Sequence, residues 1–200
     1  MKKEEIEKII LSYKQTLNDE HLYQKTRSVY WQECYKNKKK FLSVENLENF
    51  RKNRILSEHR DEDQLTSQGK LNLIEALDYF EGDYLKRTLP EKNVGKSNYL
   101  VNFMGYYFDS GIIHYLKWFE KIENYILPNF HILEIGGGYG SLARIIIKNK
   151  NVKYFLVDLP EANLLVNYYL QSHFPEKNIF NYSNYKISSI EKEIDKYDIF

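Results

Sequence analysis

The chain has almost no cysteine. Cys34 stands alone among 200 residues, which excludes an internal disulfide and fits a reducing compartment. It also has almost no net charge. Twenty-nine Lys and Arg offset 28 Asp and Glu, so no overall field draws it to nucleic acid or an anionic membrane. No apolar run approaches the ~20 residues that a membrane-spanning helix needs. The opening MKKEEIEKII alternates acids with bases and holds no unbroken apolar core, so it does not read as a signal peptide. No Gly- or Ser-rich linker, internal repeat or low-complexity segment divides the chain. These absences predict a cytoplasmic protein without a membrane span, long enough to bury its own core. What is present in excess is tyrosine, 18 residues, suited to stacking on a sugar or adenine or to plain amphipathic packing.

The first part of the chain reads as helical. Ile6, Ile9, Ile10, Tyr13 and Leu17 share one face of a helix over 1–17. A second helix is expected over 20–35, followed by the basic run at 36–40, which reads as a solvated helix end. Ser43 is placed to cap a short helix reaching Phe50. Asp61-x-Asp63, with His59 nearby, has the form of a metal-binding D-x-D. No apolar strand precedes it to hold the carboxylates, so it reads as a charged loop and no metal is assigned. A helix over 70–80 should stop at Gly82, and 90–109 reads as a loop. Within it, Gly95-Lys96-Ser97 lacks the first glycine and the preceding strand of a phosphate-binding loop. The aromatic residues Tyr99, Phe103, Tyr106, Tyr107 and Phe108 suit either a lid or packing between the two parts of the chain. Ser110 should cap a helix carrying Ile112, Ile113, Leu116, Phe119, Ile122 and Ile126, ended before Pro128.

Chemistry concentrates in residues 131–160. His131 to Ile135 form a short apolar run with the look of a buried strand, and three glycines bound it. The turn Gly136-Gly137-Gly138-Tyr139-Gly140 leads into a helix over 141–148. A second apolar strand, 152–157, ends at Asp158, Leu159 and Pro160. Strand, glycine turn, helix, strand and acid make the first half of a nucleotide-binding βαβ unit. Glycines let the backbone pass close beneath a ligand, and the helix directs its free N–H groups into the same space. The acid ending the second strand can accept bonds from ribose hydroxyls.

Two ligand classes compete for this pattern. Gly138-Tyr139-Gly140-Ser141-Leu142-Ala143 satisfies one form of the dinucleotide fingerprint, with Asp158 twenty positions after Gly138. The acid-x-Gly-x-Gly-x-Gly pattern is met by Glu134, Gly136, Gly138 and Gly140. A carboxylate at Glu134 would attract the cationic amino-acid end of S-adenosylmethionine and repel a pyrophosphate. Glu134 therefore favours S-adenosylmethionine over NAD.

The segments LEIGGGYGSLARIIIKN and YFLVDLPEANLLVNYYL resemble the bacterial sugar O-methyltransferases that accompany surface-polysaccharide genes. The GGG-x-G turn with a later D-L-P also resembles plant small-molecule O-methyltransferases. Both are class I S-adenosylmethionine-dependent methyltransferases. The match covers about residues 130–170, and a looser similarity reaches back through Asn49-Phe50-Arg51 and the loop 95–111. The resemblance implies an α/β fold: a mostly helical region, 1–127, acting as lid or substrate region, then the N-terminal half of a Rossmann-like domain, 128–200. About four of the family's seven strands would be present, with 178–182 the third and 197–200 the fourth, beside the first. The chain would then be a partial version of a longer protein.

The resemblance also implies a site and an activity. Glu134, Gly136, Gly137, Gly138, Tyr139 and Gly140 would surround the methionine part of the cofactor, with Asp158 and Leu159 at its ribose. The implied activity is methyl transfer to a sugar hydroxyl. A cofactor-binding fragment without turnover and an NAD-dependent oxidoreductase are the alternatives. No catalytic base is assigned: His131 reads as structural, His114 lies in the helix before it where it could face the cleft, and His21, His59 and His173 lie in no motif.

Overall fold

Ile6, Ile9, Tyr13 and Leu17 are all buried along one side of α1 (Lys3–Asn18), as their spacing requires. Each such burial contributes roughly 1.5–3 kcal/mol, so this stripe alone holds the helix against the body of the protein. The structure is a computed structural model that describes residues 1–18, 28, 29, 32, 41–53, 71, 74, 75, 78–80, 82–88, 92–98, 100–103, 105–180 and 196–199. Most of the helix expected over 20–35, the basic run at 36–40 and the charged loop around His59, Asp61 and Asp63 lie outside these residues. So do Asn181 and Tyr182 of the expected third strand, together with Tyr99, Phe200 and much of the helix expected over 70–80.

After α1 come α2 (Val44–Glu48), α3 (Gly82–Thr88), a hairpin of β1 (Leu100–Phe103) and β2 (Tyr106–Asp109), and α4 (Ile113–Ile122). Then follow β3 (His131–Ile135), α5 (Ser141–Asn149), β4 (Lys153–Val157) and α6 (Pro160–His173). Ser43 caps α2 as expected, its hydroxyl accepting from the Asn46 N–H. Pro160 opens α6, where its missing N–H costs nothing. Helix α1 packs on α6 and α2, and α3 and α4 pack on α5, so one apolar core runs through both parts of the chain.

Several expectations fail. Gly82 begins a helix instead of ending one. Residues 100–109 are not loop: β1 and β2 pair antiparallel from Leu100↔Asp109 to Phe103↔Tyr106. Their tip is Gly105, whose N–H is held by the Asn102 side chain. The N-cap position of α4 is Ile112 and not Ser110, with no side-chain cap; in the 3-10 turn ahead of it Asp109 accepts from the Gly111 N–H at 2.8 Å.

The largest correction concerns the fold class. Among the described residues there are six helices, and the parallel sheet has two strands, β3 and β4, in register from His131↔Lys153 to Ile135↔Val157. The first half of a Rossmann-like class I methyltransferase fold with about four strands is therefore not what these residues form. Asn178 to Phe180 and Tyr197 to Ile199 meet the sheet only through the isolated bridges Tyr154↔Ile199 and Ile179↔Ile199. Ile199 thus lies on the side of β4 away from β3, where the expected order would have put it beside β3. Part of the reason is local. The Asp198 carboxylate takes the Asn178 N–H, so a side chain holds a donor that a continuous ladder would use. Strand β3 is also not buried on both faces, since Leu133 and Ile135 are 62% and 79% exposed. Among the described residues no helix is long and apolar enough to cross a membrane.

The tyrosines of this core pack. Phe50 makes edge contacts with Tyr139, Tyr168 and Tyr169 at ring distances of 5.3, 6.3 and 6.3 Å. Tyr169 in turn meets His173 at 4.6 Å. Burial lowers the His173 imidazole to about 2, and Arg144, Lys92, Arg51 and Lys148 act in the same direction. A histidine held neutral stabilises the fold above its ordinary value of 6.5. Below that, the unfolded chain takes up a proton that the folded chain refuses, so stability is lost as pH falls. The loss should reach about 2 kcal/mol at pH 5. Comparing urea midpoints at pH 7.5 and 5, His173→Leu should remove about that much of the native chain's acid sensitivity. Identical pH dependence in both would refute this account.

Candidate functional site

Parallel strands finish at the same edge, so β3 and β4 bring Glu134 and Asp158 to one end of the sheet, on either side of the glycine turn. Backbone bonds shape the turn. Gly136 N donates to Val157 O at 2.9 Å, and Gly140 N to Gly137 O at 3.0 Å. Gly140 then stands at the N-cap of α5, whose free N–H groups and positive end lie directly behind the turn.

The three central glycines differ in what surrounds them. A Cβ on Gly136 or Gly138 would meet nothing within 4 Å, so the space over the turn is open there, and both have positive φ, +79° and +60°. A Cβ on Gly137 would come within 2.6 Å of Leu156 Cδ1 and 3.1 Å of Glu134 Cδ. The turn therefore rests on Glu134 and Leu156 with its other surface free. A substituent at Gly137 would push the carboxylate itself.

Asp158 ties the second strand to the turn. Its Oδ2 accepts from Gly138 N at 2.8 Å and its Oδ1 from Leu159 N at 2.7 Å. A carboxylate oxygen has two acceptor sites, so each can take a further donor. Leu159 is the N-cap of α6 and packs against the core through its side chain. Tyr139 faces the helical part of the protein. Its ring contacts Phe50 and Tyr169, with the Arg51 guanidinium 5.7 Å from its centroid, so it anchors the turn to residues before position 128.

One partner escaped the sequence reading. The Tyr154 hydroxyl donates to Glu134 Oε2 at 2.8 Å. Tyr154 is 1% exposed and lies on the same sheet face as Glu134. The available signal was a phenolic hydroxyl among the apolar residues that follow Lys153 in the strand KYFLV.

Burial pushes the Glu134 carboxyl above its ordinary range. The Tyr154 hydrogen bond opposes that rise, and the Asp158 charge adds to it. Asp158 is also raised by burial, with the N–H groups of Leu159 and Gly138 holding it down. Burial and then the Glu134 charge push the Tyr154 phenol up, so it remains a donor. Among the described residues neither carboxylate is in an ion pair, and no cluster of three or more His, Cys, Asp or Glu could hold a metal.

Among the described residues the histidines do not gather here. His114 lies against Tyr115 and Trp118 on α4, and His131 is an exposed residue beside the Phe155 ring. Residues 51, 52, 95 and 109, distant in sequence, do come together. Arg51 N and Lys52 N both donate to Gly95 O, and the Arg51 guanidinium pairs with Asp109 at 2.9 Å. Comparison with protein-family models, with curated proteins and with solved structures finds no match.

Proposed function

We propose that the chain binds S-adenosylmethionine at the glycine turn and serves methyl transfer to an oxygen acceptor, a sugar hydroxyl by its resemblance. The observation that carries this reading is the pair of carboxylates, Glu134 and Asp158, both raised by burial and both without a cation among the described residues. Such a pair favours a ligand that brings positive charge to Glu134 and hydroxyl donors to Asp158. A pyrophosphate would be repelled by Glu134, which argues against NAD. Open space over Gly136 and Gly138 fits a ligand lying across the backbone.

When bound, S-adenosylmethionine supplies an electrophilic methyl group on a positively charged sulfur. Glu134 would hold the ammonium end and Asp158 the ribose, with the glycine turn beneath them. Positioning of this kind supplies much of the acceleration in a displacement reaction.

Calorimetric titration with S-adenosylhomocysteine and with NAD tests the reading. The homocysteine compound should bind and NAD should not. Glu134→Gln and Asp158→Asn should each weaken binding about ten- to a hundredfold, the range of a lost charged hydrogen bond. Binding of NAD alone, or unchanged affinity in both variants, would overturn the proposal. Turnover on candidate sugars then identifies the acceptor.

A further inference from the structure

We infer that Tyr154 is a positioning residue for Glu134: its hydroxyl pins Oε2 from β4 and leaves Oε1 as the oxygen offered to the cationic end of the ligand. The inference rests on the cofactor reading above and adds to it a second residue and a pH dependence. Three observations lead to it. The hydroxyl is 2.8 Å from Oε2 in a side chain 1% exposed, so Tyr154 has little freedom to turn elsewhere. Glu134 makes no other hydrogen bond among the described residues, so this donor sets its direction. A Cβ at Gly137 would stand 3.1 Å from the Glu134 carboxyl carbon, so the turn lies close over that side of the carboxyl group.

Among the described residues, the charged and titratable groups that act on Glu134 are Tyr154 on β4 and Asp158 at its end. They act in opposite directions. The phenol favours the ionised carboxylate and Asp158 disfavours it, while burial raises the whole balance. Binding of a cationic ligand needs Glu134 ionised. Affinity should therefore fall on acidification sooner than an ordinary carboxylate would allow. Removing the phenolic donor should move that fall to still higher pH.

The test is Tyr154→Phe, which deletes the hydroxyl and keeps the ring, with folding checked by circular dichroism and urea unfolding. In the ligand-free chain, the Glu134 carboxyl carbon is followed by NMR across pH 3 to 9, with Glu134→Gln assigning the signal. Its midpoint should rise in the variant. S-adenosylhomocysteine should bind about tenfold more weakly at neutral pH, with the acid limb of the binding profile displaced upward. In the Glu134→Gln background, Tyr154→Phe should cause no further loss, since the two act through one contact. A native chain that binds normally and a Tyr154→Phe chain with the same Glu134 midpoint and pH profile would overturn this inference alone. A native chain that binds nothing at any pH would overturn the cofactor reading, and the ligand role of Tyr154 with it. If Tyr154→Phe fails to fold, the Tyr154 ring ζ carbon is compared by NMR in the native chain and in Glu134→Gln: an unchanged signal overturns the inference, and a displaced one supports it.

Discussion

Replacing Asp109 with alanine is expected to destabilise the protein by about 3–5 kcal/mol, the cost of leaving one member of a buried ion pair alone. Asp109 Oδ2 lies 2.9 Å from Arg51 Nη2, with side chains 12% and 4% exposed. Ser97 donates to the same oxygen through its hydroxyl, and Gly111 N donates to the other at 2.8 Å. Arg51 Nη1 also donates to Val94 O at 3.1 Å. The carboxylate therefore joins the end of the hairpin, the loop at 94–97 and the residue that follows Phe50. Its removal strands a guanidinium with little water to receive it. A typical domain is stable by only 5–15 kcal/mol, so the variant should sit close to unfolding. The control is Arg51→Met with Asp109→Leu, which removes both charges and should recover much of the loss. Urea unfolding of the three proteins decides the matter. A loss below about 1 kcal/mol in Asp109→Ala would mean the pair behaves as a solvated one. Because the Arg51 guanidinium lies over the Tyr139 ring, the same variant should also loosen the glycine turn and weaken ligand binding.

The second large effect is expected at Gly95, outside the glycine turn. A Cβ there would lie 2.4, 2.6 and 3.0 Å from Cε1, Cδ1 and Cζ of Phe50. Phe50 is 2% exposed and is held by three tyrosine rings, so it cannot swing aside. Gly95 also has φ of +80°, which costs an L-residue roughly 1–2 kcal/mol. With overpacking of roughly 1–3 kcal/mol added, Gly95→Ala should lose about 2–5 kcal/mol. Gly105 separates the two terms. Its φ is +83° and nothing lies within 4 Å of its Cβ position, so Gly105→Ala should show the backbone cost alone. Equal losses in the two variants, read from urea midpoints, would mean that Phe50 yields and the steric argument fails.

Both effects arise where residues distant in sequence meet, and this marks how far the sequence could be read. The stripe in α1, the Ser43 cap, the two strands flanking the glycine turn and the helices α5 and α6 were all legible. So were the places of Glu134 and Asp158 at neighbouring strand ends. The hairpin at 100–109 was not, because its aromatic residues do not alternate cleanly and its tip holds no Asn-Gly signal. Gly82 was misread because glycine also occurs at helix starts. Tyr154 was passed over because a buried tyrosine in a strand is ordinary until its partner is known.

What the sequence alone determined is local: which stretches coil, which extend, where glycine must turn the chain, and which acids close the strands. These follow from periodicities of 3.6 and 2 and from backbone sterics, which act over a few residues. Tertiary structure decided how many strands join the sheet, which face of β3 remains open, that Arg51 pairs with Asp109, and that Tyr154 holds Glu134. Those outcomes depend on which buried groups find partners across tens of residues, a competition among pairings that no local pattern encodes.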